Sequence, residues 1–199
     1  MRLPTSLLLA ALVAVPASSL AQTPPAEWVA DKTWQAIVTP FDADRLLNMA
    51  ETRAGALQEA AVAADFAEVV ELADAPTAYS GLDDILGVWR CRTIKLGGLL
   101  PLTIYSYFAC EIGRDANGYF IAKTTGSQRF TGRLYLGDMP GELVFVGAGH
   151  YTGEQPLAYD ADPERNEVGV LRQLGPGWLV LELPKPIFES NHDLIEFVR

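Results

Sequence analysis

The sequence predicts an α+β protein that is mainly β: an N-terminal helical section packed on an eight-stranded antiparallel up-and-down barrel, with a β-sandwich as the competing arrangement. Three observations lead there. Near residue 86 the texture changes from helical spacing of apolar residues to short β-rich runs separated by Gly, Pro, Asn and Asp. Most of these runs are joined by tight turns with no helical crossover, which argues against a parallel sheet. Eight strands in this pattern can close on themselves, which removes exposed edges and leaves room for one small ligand.

The first element is not part of that fold. The 199-residue chain opens MRLPTSLLLAALVAVPASSLAQ. Arg2 is a short basic region, Leu7 to Val15 is an unbroken apolar run, and Ser19-Leu20-Ala21 supplies small residues where a signal peptidase reads. The reading is a Sec-type signal peptide over 1–21, cleaved after Ala21, and hence a periplasmic or secreted protein. The run is far shorter than the ~20 residues needed to span a bilayer, and no other stretch is long enough. No Cys sits at the cleavage point for lipid attachment.

Residues 22–85 form the helical section and 86–199 the β domain. Thr39-Pro40-Phe41-Asp42 has the form of a capped helix start. Leu46, Leu47, Ala50, Ala54, Leu57 and Ala61 follow at helical spacing. A second helix is expected from about Asp65 to Asp74, with Phe66, Val69, Val70 and Ala73 inward and Glu68 and Glu71 on its other face. Strands are expected near 87–95, 102–112, 118–124, 128–136, 142–148, 167–174, 177–183 and 193–198.

Charge is uneven along the chain. The net charge is −10, but residues 22–85 carry −9 and residues 86–133 carry +5. An acidic chain is a poor nucleic-acid binder, because phosphate binding draws on clustered Lys and Arg. The asymmetry instead supplies an internal partner for the basic strands.

The densest run is LGVWRCRTIK, residues 86–95. Alternation along a strand puts Trp89, Cys91, Thr93 and Lys95 on one face and Val88, Arg90, Arg92 and Ile94 on the other. With Trp89 inward, Arg90 and Arg92 face out and can clamp the acidic helices through Glu68 or Glu71. The alternative turns both arginines toward a cavity that holds a carboxylate or phosphate. Cys91 and Cys110 are the two cysteines, and a hairpin folded about LGGLLP sets 91 opposite about 110. In an oxidising compartment that placement predicts a disulfide. Lys123, with Ser127, Gln128, Arg129 and Arg133 of TTGSQRFTGRLY, is polar enough to line a pocket mouth. The apolar loop LGGLLPL (96–102) reads as a lid, a partner surface or a segment buried against the helices.

Gly87-Val88-Trp89, opening the first strand, resembles the G-x-W signature of lipocalins and related calycin barrels. The resemblance implies that Trp89 closes the barrel floor and that an Arg late in the chain, Arg199 or Arg172, packs over the indole. The T-D-Y turn motif of those barrels has no counterpart, and the helical section is larger than usual for them. The run Trp89 to Gly97 and the run Thr125 to Tyr135 are also similar to those of a group of exported alphaproteobacterial proteins classed as a domain of unknown function, which implies no activity.

No catalytic or metal-binding motif is present, and no cofactor is implied: there is no G-x-S-x-G, H-E-x-x-H, P-loop or G-x-G-x-x-G. His150 and His192 are isolated and read as structural or solvated. The expected function is non-enzymatic: an exported small-molecule-binding or structural envelope protein, taking a small amphipathic or anionic ligand. The rivals are an enzyme with a polar site near Lys123, Arg129 and Arg133, and an envelope protein that acts through a partner surface.

Overall fold

In the computed structural model, which describes residues 33–78 and 81–199, the helical section starts where the Thr39 side chain accepts a hydrogen bond from the Asp42 N–H. The signal-peptide reading lies outside the described residues. Helix α1 spans Pro40–Leu47, α2 Met49–Ala60 and α3 Phe66–Asp74. The expected single helix after Thr39 is therefore broken at Asn48, and its expected apolar stripe is corrected. Leu47 is 79 % exposed, whereas Asp42 and Arg45 are buried. Arg45 reaches the ends of two strands, donating to the carbonyls of Asn166 and Pro184 at 3.1 and 3.0 Å. Asp42 accepts from Arg45, Tyr159 and Asn166. The polar face of α1 is thus the packed face, because its partners are the carbonyls and amides of strand ends.

Among the described residues the sheet has nine strands: β1 Gly87–Leu96, β2 Leu102–Ile104, β3 Phe108–Asp115, β4 Gly118–Lys123, β5 Gln128–Leu136, β6 Glu142–Tyr151, β7 Asn166–Gly175, β8 Trp178–Pro184 and β9 His192–Val198. All neighbours are antiparallel, and β9 returns to β1 from Arg90↔Val198 to Leu96↔His192, so the barrel closes. The expected strand over 102–112 is split at Tyr105–Tyr107: β2 pairs with the far end of β1 and β3 with the near end. Nine strands therefore fill eight barrel positions.

Alternation fills the interior. Trp89, Cys91, Ile112, Ile121, Phe145, Leu181 and Phe197 belong to one buried cluster. Gly132 and Gly147 face each other across β5 and β6, and a Cβ on Gly132 would sit 2.5 Å from both the Gly147 Cα and the Phe145 ring. That close approach leaves no room for any other residue. One end of the barrel is shut. Leu82 and Ile85 plug it, the Trp89 indole N–H donates to the Ile85 carbonyl at 2.9 Å, and the Arg199 guanidinium lies 4.3 Å over the indole. Arg199 also donates to the carbonyls of Leu86 and Asp84, tying the last residue to the floor.

The disulfide joins Cys91 and Cys110 at a Cα separation of 5.8 Å. The register differs from expectation by two residues: Cys110 lies opposite Trp89 and Cys91 opposite Phe108, so the bridge runs diagonally across the hairpin. The split at Tyr105–Tyr107 shifts the pairing.

Helices α2 and α3 cover the outer face of β1, β8 and β9, with Ala56, Ala60, Val69 and Leu72 against Ile94, Leu96, Val180 and Leu194. Charges line this seam. Arg92 donates to Glu196 at 2.6 Å and also to Glu68 of α3, which is the outward clamp. Glu196 further accepts from Tyr107 and from the Trp178 indole at 2.7 and 2.9 Å. Arg172 donates to Glu182 and to the carbonyls of Ala73 and Ala75 at the end of α3, so this arginine belongs to the seam and not to the floor.

Candidate functional site

Opposite the Trp89 floor, the barrel opens into a cavity of about 150 Å³. Every barrel position contributes to its wall. Thr93 and Lys95 come from β1, Phe108 from β3, Lys123 from β4, and Gln128 and Phe130 from β5. Gly149 of β6, Glu167 of β7, Leu183 of β8, and Asp193 and Ile195 of β9 complete the ring, with Tyr105, Ser127, Arg129, Pro186 and Phe188 at the rim. Strand alternation explains the set: Lys95 is three steps of two from Trp89, and Asp193 two such steps from Phe197.

The cavity holds four ionisable groups from the barrel wall, in two different states. Lys95 and Asp193 are paired. The Lys95 ammonium lies 3.7 Å from Asp193 and 3.4 Å from Glu189. Burial opposes its charge, but these two carboxylates hold the Lys95 pKa above its ordinary value. Asp193 accepts a 2.6 Å hydrogen bond from Ser190, and burial raises its pKa against the pull of Lys95.

Lys123 has no such pair, and Glu167 faces a cation from the helical section, Arg45. Lys123 is 7 % exposed, donates to the Gln128 carbonyl at 2.8 Å and stands 4.4 Å over the Phe108 ring. Among the described residues it has no carboxylate partner, and burial, with the charges of Lys95 and Arg129, pushes it down to about 8. Glu167 is pushed up to about 7 by burial, with Arg45 opposing from 3.6 Å. Its Oε2 has no hydrogen-bond partner. A cavity with an unpaired cation, a carboxyl near its titration point and the rings of Phe108 and Phe130 can hold a small molecule with one charged end. An apolar cavity of about 150 Å³ accommodates a ligand the size of benzene.

Of the residues named from sequence as ligand-binding, the structure brings Lys123, Ser127 and Arg129 together at this mouth. It does not bring the others there. Arg90 stacks on the Tyr107 ring at 5.1 Å outside the barrel, and Arg92 is in the helix seam. Arg133 makes a two-pronged pair with Asp115 at 2.7 and 2.9 Å on the outer face. Three wall residues were passed over: Lys95, Glu167 and Asp193. Alternation from Trp89, Leu171 and Phe197 points each of them inward, and a charge at an inward position was the available signal.

The LGGLLPL loop does not cover the cavity: Leu99 and Leu100 are exposed, and the Gly98 N–H donates to Glu59 of α2. His192 is buried in the seam, 3.3 Å from Glu182, and His150 is buried beside Thr131. Among the described residues no group of three or more His, Cys, Asp or Glu is arranged to hold a metal ion, and no helix is long and apolar enough to cross a membrane.

Fold and pocket together define a closed antiparallel barrel with a helical layer on one flank and a charged cavity at one end. The family model described as a domain of unknown function (DUF4893) matches residues 34–197, and the chain belongs to that family. No curated protein and no solved structure matches it.

Proposed function

We propose that this is an exported, non-enzymatic binding protein whose barrel takes a small molecule with an anionic group, held between Lys123 and Arg129. One observation supports this most. Lys123 presents its ammonium to the cavity and, among the described residues, has no carboxylate paired with it, an arrangement that costs stability and that a bound anion would relieve. Arg129 adds to it: only its Nε is engaged within the described residues, on the Gly126 carbonyl at 3.0 Å. Phe108, Phe130, Leu183 and Ile195 supply the apolar side of the cavity. The helical section serves as an outer cap on the barrel. The disulfide supports export, since such bridges persist in oxidising compartments.

The test is calorimetric titration of the purified protein with lactate, a carboxylate of about six heavy atoms that suits a cavity of this size. The expected result is saturable binding that weakens at least tenfold in Arg129→Met and in Lys123→Met. No heat of binding, or equal affinity in both variants, overturns the proposal.

A further inference from the structure

We propose that Lys123 captures the carbonyl carbon of a small 2-oxo acid or aldehyde acid as a reversible imine inside the barrel, with the ligand's carboxylate at Arg129. This deepens the anion-binding function above and rests on it for the place of the carboxylate.

The geometry has three parts. Lys123 lines a cavity that is open to solvent and shares its wall with Ser127 and Arg129, so a small carbonyl compound can enter beside it. It is fixed there, over the Phe108 ring and against the Gln128 carbonyl, rather than free on a flexible stem. Glu167 lines the same cavity, with its Oε2 3.6 Å from the Arg45 guanidinium. Lysines that react with carbonyls are those desolvated in apolar pockets or set beside another cation, and Lys123 is both. With its pKa at about 8, roughly a quarter of the amine is neutral at pH 7.5, against about one part in a thousand for an ordinary lysine.

The chemistry balances without an added oxidant or reductant. The neutral amine attacks the carbonyl carbon, the C–N bond forms, and a proton passes from nitrogen to oxygen to give a carbinolamine. The C–O bond then breaks, and the oxygen leaves as water with a proton taken from the solvent that fills the cavity mouth. The nitrogen lone pair closes the C=N bond, and hydrolysis by the reverse path releases the ligand.

Pyruvate and lactate separate this step from binding alone, since they differ at the carbonyl. The disulfide-bonded protein is incubated with pyruvate and cyanoborohydride, which reduces an imine to a stable secondary amine, and the adduct is located by peptide mass mapping. The chain has four lysines, Lys32, Lys95, Lys123 and Lys185, so exposed Lys185 is an internal control. Expected is one carboxyethyl group on Lys123, gained at least tenfold faster than on Lys185, and lost in Lys123→Arg. If lactate and pyruvate bind alike and Lys123 labels no faster than Lys185, imine capture is overturned and anion binding stands. If neither acid binds and Lys123 is unlabelled, both are overturned. Labelling at Lys123 without lactate binding sustains the imine and removes the anion-binding function.

Discussion

Lys123 shows how a single residue reports on the site. A lysine whose folded pKa lies at about 8 instead of 10.5 is held in the fold at a cost whenever it is charged. Between those two values the unfolded chain binds more protons than the folded one, so stability rises with pH across that window. Lys123→Met keeps the apolar stem and removes the charge. It is expected to gain up to about 3 kcal/mol at pH 7, less what the lost hydrogen bond and ring contact supplied, and to lack the rise between pH 8 and 10.5. Urea unfolding of both proteins at pH 7 and pH 9.5 measures it. A variant less stable than the parent at pH 7 would show that Lys123 is a structural support and not a group retained against stability for binding.

At the scale of elements, the seam between helices and barrel is where the fold commits its buried charge. Glu182 is 2 % exposed, and Arg172, His192 and Arg53 face it from 2.8, 3.3 and 3.7 Å. Burial raises the Glu182 pKa, but the His192 hydrogen bond and the charges of Arg172 and Arg53 outweigh it and hold the carboxyl below its ordinary 4.5. That contribution is present above pH 4.5 and is lost as pH falls through the depressed value. Arg172→Met leaves Glu182 short of its closest cation and the Ala75 carbonyl without its side-chain donor, while Ala73 keeps the bond from Arg53, and is expected to cost about 3–5 kcal/mol. Adding Glu182→Leu should restore more than half of that loss, and chemical unfolding of the four proteins in the cycle gives the coupling. Little of this seam was legible beforehand. The strands were, since Gly, Pro, Asn and Asp punctuate them, and so was the outward clamp of Arg92, because alternation from Trp89 fixes its side. The split at Tyr105–Tyr107 was not, because TIYSYFAC reads as one unbroken β run. The polar face of α1 was also hidden: Asp42 and Arg45 are buried only because strand ends from more than 120 residues away meet them. Half of the candidate site was legible as a polar turn at 123–129. Lys95, Glu167 and Asp193 needed barrel closure to bring three strands distant in sequence around one cavity.

For the whole molecule, closure is what makes one body of these pieces. β9 carries both layers at once. Its Asp193, Ile195 and Phe197 face the interior, while His192, Leu194 and Glu196 face the helices. It is also the strand that joins β8 to β1, the latter across a sequence separation of about 100 residues. The other strand pairings join near neighbours in the chain, so the β1–β9 closure is the late and costly event in folding, since loop-closure entropy is met before the contacts offset it. Two truncations therefore have different expected outcomes. Removing 192–199 leaves β1 and β8 as long apolar edges and opens the core, so cooperative thermal unfolding and near-ultraviolet circular dichroism should both vanish. Removing the helical section and keeping 81–199 preserves the closed ring and the Trp89 floor, but bares Ile94, Leu96, Val180 and Leu194 and leaves Arg92 without Glu68. That fragment should keep its β signal and its aromatic dichroism, and associate through the bared patch as concentration rises, which sedimentation measures. A monomeric fragment as stable as the full chain would mean the helices are an appendage. A fragment without aromatic dichroism would mean that the barrel does not close without its helical layer.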